Sequence, residues 1–487
     1  MQSKLSDHTF HKGKFVTPLN ELMTSMSDEE SWAYGRLPEY LWIGLVFNKY
    51  RREDGLAKMQ KIIDVLHAEL PNLFAPLLSN IISQSDETQI KIYDQIKQII
   101  SKDTLAPLTI LLSVNEYPEF AKAFYCNDMD VDEREEILLT VMRLLMNHQS
   151  NESTDVRFVV LSLELKSNRL KMPKEQMEMM KAYSVNEHSD DYMRVLRPFV
   201  RSIELMTLHF EERNKDFLEF FWDGISKITD CSLLGMKFPK EDKDASNYLG
   251  LIYESLSYLT ELYKTLRPLD EKMQVLLGIS TYSYKRFKEI CDYKLFNSIA
   301  GRSCVRVLIE NYIMMKYLLK NENAHDNIWK DYQFYGIGQY KLVLERLREL
   351  SPDEDVHYDE KYIEALVNEF VIEDSVDMDT KYFDKTNIRA KAEAVNEKKL
   401  YGLYYDYDSA YEHGLWGAIR ESTMLKCNNP AHQYHCVPDI DCENTLKTVF
   451  PNCVMIMNKT IGVLNDIYGI PDGLLNEVKN FEAKYFD

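Results

Sequence analysis

The sequence predicts an all-α protein: an irregular N-terminal array of helices followed by a C-terminal helical bundle. Three observations carry this. Gly (17) and Pro (15) are scarce among 487 residues, so few breakers interrupt periodic segments. Apolar residues recur at helical rather than alternating spacing through most of the chain. Polar turns separate short segments in the first half, and the segments lengthen beyond residue 246. The array shows no fixed repeat period, so no named repeat family follows.

The elements are expected in this order. The first ten residues are polar and read as loose. A helix starts near Arg36-Leu37-Pro38-Glu39, where Pro suits the first turn because no N–H there needs a partner. Tyr40, Leu41, Ile43, Gly44 and Phe47 continue it at helical spacing. Further helices are expected near 56–68, 71–83, 88–100, 104–114, 117–126, 131–147, 155–165, 174–184 and 190–210. The charged stretch 235–246, with Gly235 and Pro239, marks a boundary. Residues 1–235 are then a helical array suited to sensing or to binding a protein partner, and 246–487 are the bundle carrying the candidate site. Within the bundle, 246–266, 270–290 and 294–320 read as long helices, the last two largely buried. Residues 353–379 hold eleven acids (Asp353, Glu354, Asp355, Asp359, Glu360, Glu364, Glu369, Glu373, Asp374, Asp377, Asp379) against Lys361. Residues 381–399 reverse the sign with Lys381, Lys385, Arg389, Lys391, Lys398 and Lys399. The pair reads as two solvated helical faces that attract each other. Helices near 400–425, 443–467 and 471–485 complete the chain.

The net charge is −20, from 58 basic and 78 acidic residues. Such a chain does not cover a polyanion by general electrostatics, so the charge disfavours RNA as a partner unless a local basic groove receives it. The residues Met1-Gln2-Ser3-Lys4-Leu5-Ser6 show no basic-then-apolar leader, and no apolar run approaches the roughly 20 residues needed to span a bilayer. The expectation is a cytoplasmic protein with no membrane partner, reduced thiols and no cofactor. The protein partner is unknown, and a homo-oligomer is left open.

Three constellations could carry chemistry. Arg302, Arg306 and Glu310 follow at four-residue intervals on a helix that is otherwise apolar around most of its circumference, so they share one face. Arg makes paired hydrogen bonds to phosphate or carboxylate, which suits either a site or a register-fixing network. Asp406, His413 and Arg420 follow at seven-residue intervals with Ser409 and Gly417 between them, which places a proton-exchanging imidazole near a carboxylate. Gly414 and Gly417 leave room beside it. The third is Cys427-x4-His432-x2-His435-Cys436-x5-Cys442. Its residues are metal-ligand types, but the spacing matches no standard finger and lacks Cys-x-x-Cys. It reads as a loop with ordinary free cysteines, as one whose His432 or His435 reaches the helical site, or as a zinc site, with no metal assigned. Arg143-x4-His148 matches the Arg-to-His spacing of some helical ribonucleases, but a histidine at a helix end is commonly a cap. Phosphate-loop, dinucleotide, zinc-protease and serine-elbow motifs are absent.

Two stretches resemble a widespread family of bacterial helical proteins catalogued as a domain of unknown function. They are Arg302-Ser303-Cys304-Val305-Arg306-Val307-Leu308-Ile309-Glu310-Asn311-Tyr312-Ile313 with Lys316-Tyr317-Leu318-Leu319, and Tyr405-Asp406-Tyr407-Asp408-Ser409-Ala410-Tyr411-Glu412-His413-Gly414. The resemblance covers roughly residues 245–470. It implies an all-α bundle in which Arg306, Glu310 and His413 approach one another. It also implies a core similar to the HEPN class, whose members include ribonucleases and toxins of phage defence. Arg420 is followed by His432, which is beyond that class's short Arg-to-His spacing.

The favoured reading is a sensor or scaffold-type protein, placed by the resemblance in stress or phage defence. One alternative is a HEPN-like ribonuclease. There Arg306, with Arg302, stabilises developing phosphate charge, and His413 is the general acid or base oriented by Glu310 or Asp406. His432 or His435 is then the second proton carrier. The other alternative is a metal-dependent hydrolase built on His413, His432 and His435.

Overall fold

The computed structural model describes residues 4–18, 30–208, 213–239, 244–350, 357–369 and 375–486. Asp353, Glu354, Asp355, Glu373 and Asp374 of the acidic run lie outside them, as do parts of the expected 190–210 helix and of the 235–246 stretch. The fold is all-α. The chain forms two compact units, Met1–Leu234 with Lys426–His435, and Gly235–Leu425 with Cys436–Asp487. No described helix is long and apolar enough to cross a membrane.

The first unit is organised around the helix Leu37–Lys49, which follows a π-turn at Trp32–Arg36 and carries Pro38 in its first turn. It buries Leu37, Tyr40, Leu41, Ile43, Leu45 and Val46, so it is surrounded on nearly every face. Gly44 allows the helix Val131–Met146 to approach; a Cβ there would stand 2.6 Å from Leu145 Cδ1. Amphipathic helices Arg52–Glu69 and Asp86–Ile99 complete this core with Asn151–Lys166, which buries Asp155, Arg157 and Glu164 beside Val156, Val159, Val160 and Leu163. The helices Lys174–Val185 and Met193–Thr207 close a smaller one around Leu161, Met180, Tyr183 and Leu196.

Several expectations for this unit need correction. The first residues are not all loose, because Thr9–His11 pairs antiparallel with Lys14–Val16. The helix expected at 71–83 shrinks to Leu78–Ile82, since Pro71 and Pro76 bias their preceding residues away from helix. The one expected at 104–114 is a pair of tight 3-10 turns, Lys102–Thr104 and Ala106–Ile110. An unanticipated helix, Lys215–Lys227, is capped by the Asn214 side chain, which accepts from Phe217 N at 3.1 Å, and buries Phe217, Leu218, Phe221, Trp222 and Ile225. After it, Leu233 and Leu234 pair antiparallel with Cys427 and Lys426 of the returning segment. Asn428 N donates to Ser232 O at 2.7 Å and Asn429 Nδ2 to Asp230 O at 2.9 Å, so 426–435 is stitched to the end of this unit.

The second unit packs the helices Ala245–Leu266, Glu271–Asp292, Ile299–Asn321, Phe450–Tyr468 and Asp472–Phe486. Asp270 and Ser298 cap the second and third of these through Met273 N and Gly301 N. Ile299–Asn321 buries Cys304, Val305, Leu308, Ile309, Ile313 and Met315. Another unanticipated helix, Ile328–Arg348, supplies Arg348, whose guanidinium lies 3.5 Å from Glu360 and 3.3 Å from Glu364. These acids of the acidic run thus meet a preceding helix rather than the basic run. Nor is the basic run all solvated: Lys391 is fully buried, donates to Phe383 O at 2.7 Å and stands 3.8 Å from the Tyr317 ring. Desolvation lowers its ammonium to about 8. Residues 443–449 are not helical. Leu446 N and Val449 N donate to Asn297 O and Phe296 O, and the helix begins at Phe450 with Pro451 in its first turn.

Candidate functional site

Arg302, Arg306 and Glu310 share one face of Ile299–Asn321, as their spacing requires. The single helix expected at 400–425 does not form. A π-turn at Tyr401–Tyr405 leads into Asp406–Glu412, the chain breaks at His413–Leu415, and Trp416–Thr423 starts afresh. Gly414 makes the break. It adopts φ +56°, a conformation glycine takes without steric cost, and Leu415 N returns to Ala410 O at 2.9 Å.

The helix Asp406–Glu412 and its π-turn face the arginines. Arg302, 5% exposed, places Nη1 3.4 Å from Asp408 Oδ1 and donates from Nη2 to Lys447 O at 2.9 Å. Asp408 is fully buried, and desolvation raises its carboxyl to about 6 against the lowering effect of Arg302. Arg306 donates from Nε to Ser409 Oγ at 3.1 Å and from Nη2 to Tyr405 OH at 2.8 Å, while Nη1 stands 3.6 Å from Glu310 Oε2. Tyr382 OH donates to Glu310 Oε1 at 2.8 Å. Burial and the Glu310 carboxylate raise the Tyr405 phenol to about 12 and push Tyr382 up further, so both remain neutral donors and acceptors.

The other expected members of this site fall elsewhere. His413 ends the Asp406–Glu412 helix and is exposed, and among the described residues no hydrogen bond or ion pair joins it to Arg306 or Glu310. Asp406 is exposed, and Arg420 is exposed on the next helix. The heptad stripe Asp406–His413–Arg420 therefore does not exist, because it needed an unbroken helix through Gly414. The groups that meet the arginines are Tyr405, Asp408 and Ser409. Their own spacing, three and four residues from Tyr405, places them on one helical face and was available as a signal.

A second cluster lies in the first unit. Cys231, Cys427, His432 and His435 bring one ligand atom each to within 4.8 Å of one another. His432 Nδ1 lies 3.3 Å from Cys231 Sγ and 3.6 Å from Cys427 Sγ, and His435 Nε2 lies 3.3 Å from Cys231 Sγ. His432 Nε2 faces Ser226 O at 3.2 Å and Thr229 O at 3.1 Å, at the C-terminal end of Lys215–Lys227. Asn429 N donates to Cys427 Sγ at 3.4 Å. The loop reaches this shape through local chemistry. Asn429 Oδ1 accepts from Ala431 N at 2.9 Å, Pro430–His432 makes a 3-10 turn, and Gln433 and Tyr434 reverse the chain at φ 51° and 54°. A cleft of about 470 Å³ opens beside it, lined by Trp222, Asp223, Ser226, Gln433 and both histidines. Cys427, treated from sequence as an ordinary thiol, belongs to the cluster, as does Cys231, which no local pattern pointed to. Cys436, Cys442 and His413 do not, so the set His413, His432 and His435 is not the one the fold gathers.

Fold and geometry define an all-helical protein with an arginine–carboxylate–tyrosine network between two helices and a separate thiol–imidazole cluster. Residues 274–432 match the model of a family of unknown function, DUF5677. That stretch holds the motifs at 302–319 and 405–414 that carry the resemblance, with Cys427 and His432 but not Cys231 or His435. No curated protein and no solved structure matches the chain.

Proposed function

We propose that the chain is a non-catalytic sensor or scaffold-type protein, and that the Arg302–Arg306–Glu310 stripe holds two helices in register. One observation carries this reading: Asp408, Ser409, Tyr405 and Tyr382 engage all three charged side chains. A phosphate clamp needs donors aimed at the place where charge develops. Arg306 instead turns all three of its nitrogens toward protein groups. A HEPN-like ribonuclease would also need an imidazole there, and His413 stands exposed beyond the helix break. The cavity of about 840 Å³ in this unit is lined by Tyr282, Tyr332, Tyr335, Tyr340 and Asn311, with no member of the stripe.

The N-terminal helices supply the partner-binding face of this reading. A cavity of about 630 Å³ there is walled by Trp32, Arg36, His148, Arg157, Arg201 and Glu204, three guanidiniums against one carboxylate. An anionic group of a protein partner suits that wall in an otherwise acidic chain. The resemblance to the HEPN class is the ground for placing the protein in stress or phage defence.

The test incubates the full chain, Arg306→Ala and His413→Ala with total RNA. All three are expected to match the buffer background. Cleavage by the unaltered chain that disappears in a folded Arg306→Ala or His413→Ala protein overturns the proposal.

A further inference from the structure

We propose that Cys231, Cys427, His432 and His435 bind one zinc ion as a four-ligand structural site that ties 426–435 to the end of the first unit. The distances fit. Zn–S bonds of about 2.3 Å and Zn–N bonds of about 2.0–2.1 Å in a tetrahedron give ligand-to-ligand edges of about 3.4–3.8 Å. Three of the nitrogen-to-sulfur separations are 3.3, 3.3 and 3.6 Å, and all four ligand atoms lie within 4.8 Å of one another.

The four side chains turn their ligand atoms toward one point, as the ligands of a cation do. His432 Nε2 faces two backbone carbonyls and must carry the ring proton, so Nδ1 presents its lone pair to both sulfurs. Cys231 Sγ meets both that lone pair and His435 Nε2, so the thiol and the two imidazoles converge on one another. A divalent ion at the centre satisfies all four atoms. Two thiol protons leave to solvent on binding, and two thiolates then neutralise the ion.

The surroundings support the same assignment. The carbonyls of Ser226 and Thr229 orient His432, and the Asn429 N–H stabilises a thiolate on the buried Cys427. A thiolate–imidazole set of this kind favours zinc over magnesium or calcium. Four protein ligands leave no open coordination position, so the role is structural. Cys231 and Cys427 are far apart in sequence, and a cross-link stabilises most when the loop it closes is long.

The experiment measures metal in the purified full chain by elemental analysis and native mass spectrometry, after growth with added zinc. One zinc per chain is expected, falling at least five-fold in Cys231→Ser and His435→Ala and unchanged in Cys436→Ser and Cys442→Ser. Because a ligand variant can fail to fold, the unaltered chain is also stripped with a chelator and refilled with cobalt(II). The intense visible bands of a tetrahedral thiolate–imidazole complex should appear, and chelation should lower the melting temperature until zinc, but not magnesium, restores it. Less than stoichiometric zinc after refilling, stoichiometric copper or iron in its place, an octahedral cobalt spectrum, or zinc retained by a folded Cys231→Ser/His435→Ala chain overturns the assignment.

Discussion

Replacing Arg302 by Met tests whether the helix-pair network is structural. Arg302 is 5% exposed and Asp408 0%, so the substitution strands a carboxylate out of water. Breaking a buried ion pair from one side typically costs about 3–5 kcal/mol. Burial already raises the Asp408 carboxyl to about 6 with Arg302 present, so without that cation it takes up a proton at neutral pH and the loss sits at the lower end. The lost hydrogen bond to Lys447 O adds about 1 kcal/mol, giving about 4 kcal/mol in total. For a unit of this size, that lowers the melting temperature by about 8–16 °C. Urea unfolding followed by helical circular dichroism measures the change. Arg302→Met/Asp408→Leu should recover most of it, because an apolar pair of similar volume replaces an ion pair at little net cost. A single variant within about 0.5 kcal/mol of the unaltered chain, or a double variant no more stable than the single, refutes the reasoning.

Two further outcomes follow from the same physics. Glu204, 1% exposed, accepts from Arg36 at 2.6 Å and Arg157 at 2.9 Å, so Glu204→Gln leaves two buried guanidiniums repelling each other and should cost about 3–5 kcal/mol by urea unfolding. Asp408 also gives a pH signature. Its raised pKa means the folded chain holds the proton more tightly than the unfolded one, so its stability contribution is full below about 4 and is lost as pH rises through about 6. The stability of Asp408→Asn relative to the unaltered chain should therefore climb between pH 4 and 7, measured by urea unfolding at each pH.

What the sequence by itself determined was local. Helical periodicity and scarce breakers specify an all-α fold, and four-residue spacing places Arg302, Arg306 and Glu310 on one face. Their partners were only half legible. Tyr405, Asp408 and Ser409 lie within the motif that carried the resemblance, yet a regular helix through 400–425 pointed to Asp406 and His413 instead. Gly414 at positive φ ends the helix after His413, so the seven-residue stripe does not continue to Arg420. The signal for the break was present, because a glycine after a helical run is a common helix terminator.

Only the tertiary structure decided the company of His432 and His435. No local pattern links Cys231 to His432 and His435, 201 and 204 positions later. Their meeting depends on Lys215–Lys227 burying its aromatic face in the first unit's core, and on Asn428 and Asn429 docking to Ser232 and Asp230. Periodicity reports which face of an element is buried. It does not report which distant segment that burial brings alongside, since that depends on the packing of the whole unit.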